Sequence, residues 1–285
     1  MPTINDLATP HLPTWCPGCG NFGIWAAFKN AAVQKGWDNT NSVITAGIGC
    51  HGHIVNFVKI NSFEGLHGRA LPVASGIKLV NPRLNVFTFV GDGDCLSEGG
   101  NHFIHACRRN HNITVILHNN DIYGLTTGQC SPTSPNGFVT TSTPDGNPDQ
   151  PFNVLQLALS AGATFVARAY SGDINSLTDV LIQANDHQGI SIVEVLQPCV
   201  TFNKVCTHTY FRDNVRPLPQ DYNKTDFSAA FAAAQFSPDG PISVGVLYQV
   251  QKTTAESGFI QFSAESLANI VHEKRDLSSV LKKYY

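Results

Sequence analysis

Apolar residues fall in short continuous runs separated by stretches of helical spacing. LNVFTFV at 84–90, ITVILH at 113–118 and SIVEVL at 191–196 are too uninterrupted for strands with one face in water. They predict parallel strands buried on both faces. SVITA at 42–46 and TFVAR at 164–168 are shorter strands of the same kind. Between them, residues 21–35 carry Trp25, Phe28 and Ala32 on one helical face, with Gly36 placed to cap the end. Further helices are predicted at 70–79, 97–110, 152–161 and 174–186. Residues 129–151 are rich in Pro, Gly, Ser, Thr and Asn, a loop long enough to suggest a lid or interface. After Arg216 the pattern weakens to a connector, a helix at 228–234, a strand at 242–249 and a tail.

Strands alternating with helices predict an α/β fold, an open, mostly parallel sheet with helices on both faces, over 1–215, followed by a short C-terminal extension over 216–285 that packs on the same domain or on a partner. GIGC, GDG, Asn119-Asn120 and QPC each directly follow a predicted strand. Open parallel sheets bind ligands outside the carboxyl ends of their strands, so these four segments are expected to meet on one rim.

Composition narrows the function. A 42% hydrophobic content excludes wholesale disorder, and a formal charge of -3 supplies no basic field for nucleic acid. No apolar run reaches the length of a membrane span. The N-terminal MPTINDLATPHLPTW has no cationic head followed by an apolar core, so a cytoplasmic protein is expected. Only 14% of residues are charged, against about 25% in an ordinary soluble domain.

Eight cysteines in a reducing compartment point to metal binding or catalysis before disulfides. Cys16 and Cys19 form the one C-x-x-C, in WCPGCGNFG, and alone they are compatible with a turn, half a zinc site, or a redox or cluster loop. The GDG string has a firmer chemical demand. A diphosphate needs glycines that let backbone N–H groups approach, a helix N-terminus and a divalent cation. Gly91-Asp92-Gly93 opens the next helix, Gly99 and Gly100 keep its first turn open, and Asn119-Asn120 follows Gly93 after the 25 residues 94–118. Asp92 and Asn120 would give magnesium hard oxygen ligands from adjacent strand ends, with the Ile122 carbonyl completing the protein's share. A dinucleotide fingerprint is disfavoured because GDGDCL puts Leu96 where a third glycine belongs.

GDG followed by about 25 residues and Asn-Asn resembles the thiamine diphosphate motif. With WCPGCGNFG, GIGCHGH, LHGRALPVASGIKLVNP, GDGDCLSEGGNHFIHACRRN, HNNDIYGLTTGQCSPT and VEVLQPCVTFN, the chain resembles the β subunit of 2-oxoacid:ferredoxin oxidoreductases over about residues 10–210. The resemblance implies the pyrophosphate-type thiamine diphosphate domain, with contacts at Ile48, Gly49, Cys50, His51, His67, Gly93, Asp94, Gly124 and Leu125 beside the Mg2+ ligands. It also implies one [4Fe–4S] cluster held by Cys16, Cys19, Cys50 and Cys199, with Cys206 as a competing fourth ligand. At His53 and Thr127 many members of the family carry a lysine that faces substrate or coenzyme A.

The implied activity is oxidative decarboxylation of a 2-oxoacid to acyl-CoA and CO2, with electrons passing through the cluster to ferredoxin. 2-Oxoglutarate or a broad range of 2-oxoacids is favoured over strict pyruvate use. Thiamine enzymes pair this module with a second one that carries the activating glutamate, for which these residues leave no room. An α subunit in an α2β2 assembly is therefore expected. The alternatives are the diphosphate-binding half of a non-redox thiamine enzyme, such as a decarboxylase or transketolase, and a zinc-stabilised interaction module.

Overall fold

A computed structural model describes residues 1–236, 240–259, 266–269 and 276–284. The described strands form one sheet. In chain order they are β1 (Ser42–Ala46), β2 (Ser62–Glu64), β3 (Asn85–Gly91), β4 (Thr114–Asn119), β5 (Phe165–Tyr170), β6 (Ser191–Leu196), β7 (Val215–Pro217) and β8 (Ile242–Gln249). Their order across the sheet is β2-β1-β3-β4-β6-β5-β8-β7. Neighbours from β2 through β5 are parallel, and β8 runs antiparallel to β5.

Period-two alternation splits each central strand between two cores. Phe87, Phe89, Ile116, Phe165, Ala167, Val193 and Val195 point to one side, where α1 (Asn21–Lys35) and α6 (Ile174–Asp186) cover them. Val86, Val90, Val115, Leu117, Val166 and Ile192 point to the other, beneath α3 (Ala70–Val80), α4 (Gly100–Arg109), α5 (Val154–Ser160) and α8 (Phe227–Ala233). With both faces buried, a polar position is tolerated only with a partner. Arg168 and Glu194, register partners on β5 and β6, meet that demand with a 2.7 Å Nε–Oε2 bond.

Several elements depart from expectation. The helix after GDG begins earlier than residue 97, as a π-helical turn over Gly93–Glu98, and α4 starts at Gly100. Gly99 and Gly100 therefore lie beyond the first turn. Gly99 packs against the Gly68 carbonyl, and a Cβ on Gly100 would meet open space, so neither keeps a ligand approach clear. Short elements without a sequence signal include α2 (Ile54–Phe57), the edge strands β2 and β7, α7 (His208–Asn214) and a final helical turn over Ser278–Leu281. The strand over 242–249 lies inside the sheet between β5 and β7. Of the C-terminal tail, residues 260–265, 270–275 and 285 lie outside the described residues.

Candidate functional site

β1, β3, β4 and β6 are adjacent and parallel, so the loops leaving their carboxyl ends share one rim. Those loops begin at Gly47, Asp92, Asn120 and Gln197. They enclose a cavity of about 100 Å3 lined by all nine residues implied as thiamine contacts: Ile48, Gly49, Cys50, His51, His67, Gly93, Asp94, Gly124 and Leu125. Asp92, Asn120 and Ile122 line it too.

Asp94 organises this cavity. Its Oδ1 accepts from the Ile48 N–H at 3.2 Å and the Gly68 N–H at 2.7 Å, and His67 Nδ1 lies 2.7 Å away. One carboxylate thus ties the GIGC loop, the HGR loop and the start of the π-helical turn together. The space it fills is left by Gly47, where a Cβ would fall 1.9 Å from Asp94 Oδ2. Gly68 has φ 71, and a side chain there would strike the Glu98 backbone at 2.3 Å, so this turn requires glycine. Burial acts to raise the Asp94 pKa, but the His51, Gly68 and His67 contacts outweigh it and hold the carboxyl below its usual range. Its buried Oδ2 accepts no hydrogen bond and sits 3.5 Å from His51 Nε2. His51 in turn accepts the Gly91 N–H on Nε2 at 3.1 Å.

Asp92 is 2% exposed, and burial raises its pKa. Its Oδ2 accepts from the Ser131 hydroxyl, and the single Thr133 O–H lies between the same oxygen, at 2.7 Å, and Asn119 Oδ1, at 2.9 Å. The 129–151 loop therefore serves the site from beneath, holding the Asp92 carboxylate. A carboxylate this deeply buried, held by neutral hydroxyls and backbone N–H groups and no positive side chain, is costly alone and suits a cation. Asn120 donates its Nδ2 to Gln197 Oε1 at 3.2 Å, which leaves Oδ1 for the Ile122 N–H and for a metal.

A second cavity of about 300 Å3 adjoins the first, lined by Cys16, Cys19, Cys50 and Cys199 together with Trp15, His53 and Thr127. Gly124 packs against two of these sulfurs: a Cβ there would lie in ordinary contact, 3.4 Å from Cys199 Sγ and 3.9 Å from Cys50 Sγ. Burial first, then the crowding of neighbouring sulfurs, pushes the Cys19 thiol up to about 12 and Cys50 up to about 11. Four thiolates gathered so repel one another until a cationic centre sits among them, which is what an iron–sulfur cluster supplies. Among the described residues no three His, Cys, Asp or Glu draw close enough to hold a single ion. All four cysteines line this one void of about 300 Å3. Cys206 is elsewhere, in a separate cavity of about 330 Å3 with Asp121, Arg168 and Glu194. Cys95 and Cys107 are buried in the core, and Cys130 lies 3.2 Å from the Thr143 hydroxyl.

Sequence reasoning missed His118, Tyr123 and Gln197, all of which line the first cavity. His118 Nδ1 pairs with Asn21 Oδ1 at 2.8 Å, and its buried Nε2 has no partner. Burial, with His51 nearby, lowers its pKa well below the ordinary value, so the ring is neutral. The available signal was position alone: His118 begins the HNNDIYG string and Gln197 begins QPC, both already singled out.

Residues 47–195 match the family described as thiamine pyrophosphate enzyme, C-terminal TPP binding domain, and residues 199–264 match the C-terminal family of the pyruvate ferredoxin oxidoreductase beta subunit. The chain is 46% identical over 209 residues to the 2-oxoacid:ferredoxin oxidoreductase subunit beta of Saccharolobus solfataricus, covering 73% of this chain and 68% of that protein. It is 50% identical over 198 residues to the 2-oxoglutarate oxidoreductase subunit KorB of Mycobacterium tuberculosis, covering 70% of this chain and 53% of that one. A solved 2-oxoglutarate:ferredoxin oxidoreductase from Magnetococcus marinus, with 2-oxoglutarate, coenzyme A and succinyl-CoA bound, superimposes with a TM-score of 0.90 at 36% identity, covering 100% of this chain and 96% of that one. A thiamine diphosphate rim beside a four-cysteine chamber, with these relatives, places the chain in the 2-oxoacid:ferredoxin oxidoreductase β-subunit family.

Proposed function

We propose that this chain is the half of a 2-oxoacid:ferredoxin oxidoreductase that grips the diphosphate of thiamine diphosphate through Mg2+, carries one [4Fe–4S] cluster and delivers electrons to ferredoxin. The observation carrying the reading is the shared wall of the two cavities: Cys50, Asn120, Gly124, Leu125 and Gln197 line both. Bound there, the cofactor pair would supply an electron sink for decarboxylation and a one-electron outlet.

The chain's own residues hold and orient. Asp92, Asn120 and the Ile122 carbonyl would ligate Mg2+; the N–H groups around Gly93 and the π-helical turn would face the diphosphate. His67 and Asp94 lock the two loops that close over it. Neutral His118 offers an unprotonated Nε2 towards the cavity and adds no positive charge beside a cationic ring. Cys16, Cys19, Cys50 and Cys199 would hold the cluster, and the exposure of Cys16 gives ferredoxin a side to approach. The activating glutamate belongs to an α subunit, in an α2β2 assembly in the cytoplasm.

For substrate, 2-oxoglutarate with coenzyme A as acyl acceptor is favoured. The 2-oxoglutarate relatives and the solved complex support it. His53 and Thr127 line the cysteine cavity, where fixed lysine charge is absent from this chain. Anaerobic co-purification with the α subunit, followed by viologen reduction on 2-oxoglutarate, pyruvate and branched 2-oxoacids with and without coenzyme A, tests the proposal. Fastest coenzyme-A-dependent reduction on 2-oxoglutarate is expected. Equal inactivity on every substrate in an iron-loaded, thiamine-loaded complex would sink it.

A further inference from the structure

Gln197 sits on the wall between the two cavities, is 1% exposed, and commits its whole amide to bridging them. Its Oε1 accepts from Asn120 Nδ2 at 3.2 Å. Its Nε2 donates to Cys19 Sγ at 3.3 Å and to the Pro198 carbonyl at 3.2 Å. The Pro198 carbonyl fixes which way this amide faces, because the flipped side chain would set Oε1 against a carbonyl and a sulfur, two acceptors. With Oε1 so placed, Asn120 is fixed in turn: it must offer Nδ2 to Gln197 and keep Oδ1 for the metal.

We propose, resting on the reading of the two cavities above, that Gln197 is a positioning residue with two separable tasks. Through Asn120 it presents the amide oxygen that ligates Mg2+. Through its N–H···S bond to Cys19 it raises the reduction potential of the cluster, since a donor to a ligand sulfur favours the reduced form, which carries the extra electron. One side chain thereby ties the grip on the cofactor to the driving force for taking its electrons. Gly20 leaves room for this side chain: a Cβ there would fall 2.7 Å from Ser171 Oγ and 2.8 Å from the Gln197 Cγ.

The two tasks come apart by substitution in the αβ complex. Gln197→Leu removes both bonds, whereas Gln197→Glu keeps an oxygen for Asn120 and loses the N–H to sulfur at neutral pH. An EPR-monitored redox titration should show about a tenfold loss in the equilibrium constant for cluster reduction in both variants, which is 59 mV for one electron. In Gln197→Glu the potential should recover as pH falls and the carboxyl gains a proton. Calorimetric titration with Mg2+ and thiamine diphosphate should weaken several-fold in Gln197→Leu and stay near the parent value in Gln197→Glu. An unchanged potential in iron-replete variants overturns the cluster task, and equal cofactor affinity in both overturns the Asn120 task. Should both variants lose iron, the unmodified complex decides the cluster task. With 15N confined to glutamine side-chain amides, the reduced cluster should show a 15N hyperfine coupling, and its absence refutes the bond. Parent protein lacking iron and sulfide altogether would refute the underlying reading instead.

Discussion

At the scale of single residues, the site depends on space as much as on contact. Gly47 leaves the volume that Asp94 fills, so Gly47→Ala should push that carboxylate away from Ile48, Gly68 and His67 together. Overpacking of this kind costs about 1–3 kcal/mol. Denaturant unfolding should register that loss, and thiamine diphosphate titration should show binding abolished. The Thr133 hydroxyl lies between Asp92 and Asn119; Thr133→Val keeps the shape, removes that one shared donor and should cost about 1–2 kcal/mol, with Mg2+ affinity measured by calorimetry falling alongside. Thr133 was invisible in the sequence because it is one polar residue in a loop full of them. Asp92 and Asn120 were legible because GDG and Asn-Asn directly follow buried strands, whereas the four cysteines could be named together only through the family resemblance, since one C-x-x-C alone is compatible with several uses. His118 and Gln197 were not, since a histidine or glutamine next to a motif looks the same whether it faces the site or the core.

At the scale of elements, β3, β4 and β6 declared themselves through unbroken apolar runs, a pattern that burial on both faces imposes. β2 gave no such sign because all three of its residues are exposed. The start of the helix after GDG was misplaced because a π-helical turn does not follow the 3.6-residue period on which the expectation rested. The joint between α6 and β5 makes a prediction about pH. His187 caps α6, is 2% exposed, and its Nε2 lies 2.8 Å from the Thr164 hydroxyl just before β5. Burial pushes its pKa down from 6.5 to about 4. An unfolded chain takes up the proton near 6.5 while the folded one refuses it until about 4. Stability present above pH 6.5 is therefore lost progressively as pH falls through that window, by at most about 3 kcal/mol. Chemical unfolding at pH 7.5 and 4.5 measures the loss, and in His187→Gln the slope attributable to this ring should vanish.

At the scale of the whole molecule, the low charge content has a physical counterpart. The chain exposes 13879 Å2, where a compact monomer of 30.8 kDa would expose roughly 12,000 Å2. Leu66, 80% exposed, directly precedes His67 of the cavity wall, and Phe63, 54% exposed, lies on the edge strand β2 just before it in the chain. Apolar side chains next to a half-built site are where an α subunit would seat. Leu66→Glu should release the α subunit, seen as a shift in size-exclusion elution, while the isolated chain keeps its far-UV circular dichroism. Neither residue was singled out from sequence, because a lone Leu or Phe becomes informative only once its exposure is known.

Cys16 is exposed while Cys19, Cys50 and Cys199 are half-buried. A cluster seated among them would have one corner at the protein's skin. The opening that shortens the tunnelling path to an incoming acceptor also admits dioxygen, so speed of electron delivery and tolerance of air are set by the same few ångströms of missing cover.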